Sequence, residues 1–232
     1  MKTKQILALF ALFWVAVRAV AGVTIEATYN DKDGNETNLT ADAYTPGSIS
    51  GNAPLHVHFT YDATELETGA SAVWHVRNTT AGINLTRYET DFDYDFTVSG
   101  LTQVILQVTV GNEVVEEVTV SVTVSESILE MPNAFSPNDD GNNDTYQAKS
   151  KSQSIVEFHA YIFNRWGQKL FDWTDWQDRK GGWNGTYNGR PVKDGVYYVY
   201  VKARGADGVE YNIRRDVNLI RNFNVTEGTT TE

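Results

Sequence analysis

Apolar side chains recur at every second position through most of the chain, and this spacing constrains the fold more than any other feature. Segments such as LHVHF, SAVWHV and QVILQVTV alternate in this way, with the turn-forming stretches DKDGN, TPGSISGNAP and VGNE between strands. A period of two places alternate side chains on the two faces of a β-strand. The sequence therefore predicts an all-β protein, built as two antiparallel Ig-like β-sandwiches in tandem after a signal peptide.

The first 21 residues have the three parts of a secretory signal peptide. MKTK is basic, ILALFALFWVAV is apolar, and Ala19-Val20-Ala21 supplies the small residues of a cleavage site. The apolar run is too short to cross a hydrocarbon core comfortably, and Arg18 interrupts it. We therefore expect residues 1–21 to be removed during export to the periplasm.

Charge is distributed unevenly along the chain. Residues 22–128 carry 16 acidic and 3 basic side chains, whereas residues 129–232 carry 14 and 13. This contrast favours two domains of different surface chemistry, at 22–128 and 129–221, followed by a polar tail at 222–232. Neither part has the basic stripe that nucleic acid would need. The chain has no cysteine, which excludes disulfides and thiol nucleophiles.

The segment 22–128 resembles the PKD or immunoglobulin-like domains of bacterial surface proteins. GNAPLHVHF is similar to their opening strand, SAVWHV to their tryptophan-bearing strand, and YDFTVSGLTQVILQVTV to their closing hairpin. The resemblance implies a fold but no ligand.

Four blocks follow one another in the second half: MPNAFSPNDDGNNDTY, YIFNRWGQKLFDW, GGWNGTYNGRPVKDGVYYVYVKA and DVNLIR. In this order they resemble the type B C-terminal sorting domain of the type IX secretion system, also called the gliding-motility-associated C-terminal domain. The resemblance implies a small β-sandwich that directs a periplasmic protein through the outer membrane of Bacteroidetes to the cell surface.

The resemblance also implies partners and site residues. The partners would be the type IX translocon and an outer-membrane barrel of the PorP/SprF type. Because the cargo is short, we expect an accessory or signalling component of the PorA kind; the alternative is a small adhesin or carbohydrate-binding module. The residues assigned to the sorting or docking motif are Phe135, Pro137, Asn138, Asp140, Gly141, Asp144, Phe163, Asn164, Arg165, Trp166, Gly167, Trp183, Gly185, Gly195, Tyr197 and Arg221.

The loop AFSPNDDGNND admits two interpretations. In an EF-hand-like register from Ser136, Asp140 and Asp144 take the fifth and ninth positions, but Gln147 replaces the glutamate at the twelfth. In the other interpretation, Asn and Asp side chains accept hydrogen bonds from nearby backbone N–H groups and form Asx-turns. We expect the turns and no cofactor, and keep calcium at Asp140 and Asp144 as the second hypothesis.

Polar clusters elsewhere suggest two further metal hypotheses. Alternation places four carboxylates on one strand face, opposite an aromatic row: Glu89, Asp91, Asp93 and Asp95. We expect a solvated face there, with a cation site as the alternative. Three histidines could form a zinc site if the fold brought them together: His56, His58 and His75.

The tryptophans suggest where large rings cover the core or meet partners. Trp166 and Trp183 stand next to predicted bends and are expected to cover the ends of a sandwich core. Trp173 and Trp176 could form an exposed platform for a surface glycan, or pack a loop onto the sandwich or a partner, which we favour. No catalytic motif is recognisable, so we do not expect an enzyme.

Overall fold

The computed structural model describes residues 22–178 and 180–221, so the predicted signal peptide and polar tail lie outside the described residues. Within these ranges the regular elements are strands, apart from a 3₁₀ turn at Ala63–Glu65. The all-β prediction is confirmed. In this part of the chain, no helix is long and apolar enough to cross a membrane.

Nine strands form the first domain. They are β1 (Ile25–Asn30), β2 (Glu36–Ala41), β3 (Gly47–Gly51), β4 (Leu55–Tyr61), β5 (Ala70–Asn78), β6 (Ile83–Arg87), β7 (Asp91–Phe96), β8 (Gly100–Val110) and β9 (Glu113–Val124). Two sheets, ordered β2-β1-β4-β7 and β3-β9-β8-β5-β6, enclose the core. The pairs are antiparallel except β3 with β9, which is parallel, so the expectation of a purely antiparallel sandwich is wrong at this edge.

An aromatic cluster fills the space between these two sheets. Trp74 is fully buried, and its ring centroid lies 5.2 Å from Phe92 and 6.2 Å from Phe59. Its Nε1 donates to the carbonyl of Glu89 at 3.0 Å, so the one polar atom of the ring is satisfied. Because each large ring buries on the order of 150–250 Å², these side chains dominate the first core.

Seven strands form the second domain. They are β10 (Ala134–Phe135), β11 (Ile155–Phe163), β12 (Lys169–Trp173), β13 (Thr186–Tyr187), β14 (Arg190–Pro191), β15 (Gly195–Gly205) and β16 (Glu210–Leu219). Five of them form a sheet in the order β10-β16-β15-β11-β12, and β13 pairs with β14 in a short ribbon. The second core contains three large rings from outside the long strands. Trp183 and Tyr146 lie in connecting segments, and Phe135 lies in the short edge strand β10. The change from the first core to the second falls between Val124 and Leu129.

The alternation along IVEFHAYIFN predicts a strand with Val156, Phe158, Ala160 and Ile162 on one apolar face, but the observed strand β11 has a bulge at its start. Three of its apolar residues are buried in the second core as predicted: Phe158, Ala160 and Ile162. Val156 was expected on the same face, and this is wrong because the register against β15 shifts between Ile155 and Glu157. Ile155 lies in the second core, and Val156 packs against the first.

Buried hydrogen bonds join the two domains at one end of the second sheet, which we call the proximal end. The fully buried Ser154 Oγ accepts from the backbone N–H of Ala53 at 3.1 Å and lies 2.9 Å from Ser125 Oγ. The N–H of Ser99 donates to the carbonyl of Ala206 at 3.0 Å, and Ala206 itself is part of the first core. The β15–β16 hairpin therefore anchors the second domain to the first.

Candidate functional site at the distal end of the second domain

The strand register places the four sequence blocks at the same end of the second sheet. Leu219, near the end of β16, lies opposite both Gly195 at the start of β15 and Phe135 in β10. Phe163, the last residue of β11, lies opposite Tyr198 near the start of β15. We call this the distal end. The 11 residues of β15 separate it from the proximal end by about 33 Å at the usual rise per residue.

The loop of the first block is closed by its own backbone. Asp144 accepts hydrogen bonds from the N–H groups of Asn138, Asp139 and Gly141 at 3.0, 2.7 and 2.8 Å. Gly141 has a φ of +85°, which suits a residue without a side chain. Desolvation opposes the charge of Asp144, but these N–H donors outweigh it and hold the pKa of its carboxyl below the usual value.

These contacts confirm the Asx-turn interpretation of the loop. Asp140 is engaged in the same way, because its Oδ1 accepts from the N–H of Asn142 and its Oδ2 from Asn138 Nδ2. A calcium ion would have to compete with these donors for both carboxylates. In the described ranges, no group of three or more His, Asp or Glu side chains is arranged to hold a metal ion.

The FNRWG block forms a tight turn that displays its tryptophan. Asn164 Oδ1 accepts from the N–H groups of Trp166 and Gln168 at 3.0 and 3.1 Å, and Gly167 has a φ of +79°. Trp166 is 77% exposed, with the Arg165 guanidinium 4.6 Å from its ring centroid. The expectation that Trp166 covers the core is wrong, because the turn points its ring outward.

Trp183 does cover the core, as predicted. It is fully buried, with ring centroids 5.3 Å from Phe135 and 4.9 Å from Tyr197, and its Nε1 donates to the carbonyl of Thr186 at 2.8 Å. The first block, the WNG turn and the start of β15 are thus packed together. The two tryptophans of the motif therefore have opposite surroundings, since Trp166 is exposed and Trp183 is buried.

Arg221, in the last block, ties the distal end together. Its Nη1 lies 2.9 Å from an Asp194 carboxylate oxygen and also donates to the carbonyl of Val192, while its Nη2 donates to the carbonyl of Gly185 at 2.8 Å. Gly185 has a φ of +76°, and a Cβ there would lie 3.0 Å from Pro137 and 2.9 Å from Leu219. The sequence analysis missed Asp194, although the Asp-Gly pair in PVKDGV is a turn signal.

A groove of about 650 Å³ runs between the FNRWG turn and the start of β15. The predicted motif contributes Asn164, Arg165, Trp166, Gly195 and Tyr197 to its lining. The prediction missed other lining residues, which are Gln168, Leu170, Tyr187, Val192, Lys193, Asp194, Val196 and Tyr198. Strand alternation alone does not reveal them, because they meet only when the two turns are brought side by side.

Trp173 and Trp176 pack their loop onto the sandwich, as favoured, and the alternative of an exposed platform is wrong. Trp173 is 7% exposed and packs in the second core, with Phe158 at 5.8 Å. Trp176 is half-buried, and its Nε1 donates to the carbonyl of Ile155 at 3.0 Å. Both rings therefore hold their loop onto the sandwich, and neither presents the exposed flat surface that a sugar or a partner would contact.

The acidic strand of the first domain is a solvated face, as expected. In β7, Asp91, Asp93 and Asp95 are exposed, while Phe92 and Phe96 are buried. Two histidines of the neighbouring strand pair with this face, since His56 Nδ1 lies 2.8 Å from Asp95 and His58 Nδ1 lies 2.9 Å from Asp93. The hydrogen bond to Asp95 is the main cause that raises the pKa of His56.

The three-histidine zinc hypothesis is wrong. His56 and His58 lie on β4, in the four-stranded sheet, whereas His75 lies on β5 in the five-stranded sheet. The two strand neighbours of His75, Trp74 and Val76, are buried in the core between the sheets, so His75 faces the other side of the sandwich.

Comparison with known families decides the nature of the second domain. Residues 129–213 match the family described as the CHU_C Type IX secretion signal domain. This segment is a type IX secretion signal domain. The resemblance seen in the sequence is confirmed for it, and the signal implies export across the outer membrane to the cell surface or the extracellular space. The whole last block, DVNLIR at 216–221, lies beyond the matched residues.

Known sequences and structures add little to this match. No curated protein sequence is significantly similar to the chain. Among solved structures, a tetra-tandem repeat from the extending region of a large adhesion protein has 14% identity and a TM-score of 0.30, covering 87% of this chain and 68% of that one.

Latent PorU from Porphyromonas gingivalis has 12% identity and a TM-score of 0.26, covering 88% of this chain and 20% of that one. SGBP-B of the Bacteroides ovatus mixed-linkage glucan utilization locus, in complex with a mixed-linkage heptasaccharide, has 13% identity and a TM-score of 0.24, covering 75% of this chain and 42% of that one. All these TM-scores are too low to support an argument about this protein.

Proposed function

We propose that this protein is a non-enzymatic component of a type IX secretion system that docks, through the distal end of its secretion signal domain, on an outer-membrane barrel of the PorP/SprF type. At the cell surface it would act as an accessory or signalling component of the machinery. The first domain would be the small cargo that faces the outside, and residues 1–21 would direct the chain to the periplasm.

This proposal rests on the position of the four sequence blocks, which lie together at the distal end. Blocks that begin 20 or more residues apart in the chain meet at one end of a single sheet. Arg221 of the last block joins two turns of the third block, at Gly185 and at Val192 to Asp194, by hydrogen bonds. The first domain is attached at the opposite end. A partner can therefore approach the distal end without a clash with the cargo.

A surface-labelling experiment with a matched pair of arginine variants tests the docking step. Arg221→Ala removes the distal clamp, whereas Arg204→Ala removes an exposed ion pair with Glu157 near the proximal end. We expect Arg221→Ala to reduce surface exposure and co-purification with the barrel, and Arg204→Ala to leave both unchanged. Equal surface exposure and co-purification of the two variants would contradict docking through the distal end.

A deletion strain tests the accessory role. We expect other type IX cargo to accumulate in the periplasm when the gene is deleted, and export to return when the intact gene is restored. Normal export of all other cargo together with lost surface attachment would instead support the small-adhesin alternative.

A further inference from the structure

The distal groove presents apolar side chains to solvent on both of its sides. Trp166 is 77% exposed on the FNRWG turn, and Val196 and Tyr198 are 48% and 45% exposed at the start of β15. These residues line one continuous groove with Leu170. Tryptophan and tyrosine are the residues that most often dominate binding energy when a partner buries them.

The charges around the groove are unbalanced. Arg165 and Lys193 line it, and within the described ranges neither forms an ion pair with a carboxylate. Asp194 is the one acidic residue among the lining residues, and Arg221 neutralises it at 2.9 Å. Arg165 and Lys193 can therefore pair with carboxylates of a partner, while Asp194 of the groove is already paired with Arg221.

The walls of the groove are held in place before any partner arrives. Asn164 fixes the turn that carries Trp166 through two backbone hydrogen bonds. On the other wall, the Tyr197 hydroxyl donates to the carbonyl of Lys193 at 2.6 Å. A preformed surface of this kind loses little conformational entropy on binding, which favours affinity.

We infer that this groove binds an acidic protein segment, in which an aromatic or aliphatic side chain packs beside Trp166 and flanking carboxylates pair with Arg165 and Lys193. The inference rests on the proposed function, because the segment would belong to the outer-membrane barrel on which the protein docks. Ion pairs of the partner's carboxylates with Arg165 and Lys193 would speed association, and burial of Trp166 would slow dissociation.

Binding of the mature protein to the purified barrel in detergent tests this inference by biolayer interferometry. We expect Trp166→Ala to weaken binding by about 30-fold, as for a typical tryptophan hot spot. The double variant Arg165→Glu/Lys193→Glu should weaken binding by about tenfold or more and abolish its dependence on salt. Lys32→Glu, an exposed charge reversal in the first domain, is the matched control and should change neither.

Zero-length carbodiimide cross-linking then identifies the partner group. We expect an amide between Lys193 and an aspartate or glutamate of the barrel, detected by mass spectrometry. Lys193→Arg should abolish this cross-link while binding is retained, because the positive charge remains.

The outcomes separate the two proposals. If the barrel binds wild-type protein but the groove variants bind equally well, the groove assignment is wrong and docking on the barrel stands. If the barrel does not bind the wild-type protein at all, both fail. Intact binding with no cross-link between Lys193 and a carboxylate of the barrel would overturn the acidic nature of the segment.

Discussion

The two ends of the second sheet use similar chemistry for opposite purposes. At the proximal end, Ser154 is joined to Ala53 and Ser125 of the first domain by hydrogen bonds, and Ala206 enters the first core. At the distal end, Arg165 and Trp166 are exposed on a rigid turn. Each end also has an aspartate that closes a loop, Asp207 and Asp144 respectively.

The turns at both ends are held by hydrogen bonds, but the proximal end is packed against the first domain whereas the FNRWG turn is exposed. Gly205 shows how closely the proximal end is packed, since a Cβ there would lie 2.0 Å from Ser127 Oγ. A Cβ at Gly167 or Gly195, in the distal turns, would meet nothing within 4 Å. The outer turns of the distal end, unlike the packed turn at Gly185, therefore leave room for a partner, and in the described part of the chain Arg165 and Lys193 beside them form no ion pair.

The largest effect is expected from breaking the packing under the distal end. Trp183→Ala removes a fully buried ring and should lower the free energy of unfolding by about 3–5 kcal/mol. Trp166→Ala is the control, and because its ring is exposed it should change stability by no more than about 0.5 kcal/mol. Urea unfolding of the mature protein measures both; similar losses would contradict the assignment of one tryptophan to the core and one to the surface.

Removal of hydrogen bonds at the proximal end should lower the free energy of unfolding by a smaller amount. Ser154→Ala leaves the buried N–H of Ala53 without its acceptor and should destabilise the protein by about 1–3 kcal/mol. Ser127→Ala also removes side-chain hydrogen bonds at this end, one to the solvent-exposed Asp207 carboxylate and one with the Tyr211 hydroxyl. Its effect should be weaker, because neither leaves a buried backbone group without a partner. Thermal unfolding of the two variants compares them, and an unchanged melting temperature for Ser154→Ala would argue against a buried junction.

Acid titration should distinguish the two loop aspartates. The pKa of Asp207 is lowered by hydrogen bonds from Ser127 that outweigh desolvation, as the pKa of Asp144 is by backbone donors. Because both folded pKa values lie below 3.8, the stabilisation is fully present above that pH and is lost as the pH falls through each folded value. By carboxyl NMR, Ser127→Ala should raise the pKa of Asp207 and leave Asp144 unchanged; a shift at both would mean that the two ends are coupled.

The smallest effect is expected at His56, on the solvated side of the first domain near the junction. The hydrogen bond with Asp95, followed by further contributions from Asp93, raises its pKa above 6.5. Its stabilising contribution is therefore fully present below pH 6.5 and is lost as the pH rises through the folded pKa. In an imidazole NMR titration, Asp95→Asn should lower this pKa and Ser154→Ala should not; no response to Asp95→Asn would refute the pairing.

Several local features could be predicted from the sequence because neighbours along the chain decide them. The alternation of Asp91, Asp93 and Asp95 with buried rings follows from strand geometry alone. The Asx-turns around Asp144 form within one loop, so residue type and spacing were sufficient to predict them. The order of the four blocks was likewise enough to indicate the secretion signal.

Other features depend on contacts between distant segments. The surroundings of Trp166 and Trp183 differ, although both precede a bend in a motif block, because only the second is enclosed by Phe135 and Tyr197. The sequence left a surface platform open for Trp173 for the same reason, and the structure excludes it because the residue pairs with Ala160 and its ring lies in the core. A one-residue bulge likewise moved Val156 from the second core to the first.

The sequence by itself determined the all-β class, the turns and the type IX secretion signal, because periodicity, turn residues and block order are properties of neighbouring positions. Only the tertiary structure decided which end of the second sheet is buried and which is free. That choice depends on strand register and on long-range contacts such as those of Arg221 and Ser154, which bring together residues that the chain keeps far apart. Trp166 and the unpaired cations beside it are exposed for this reason.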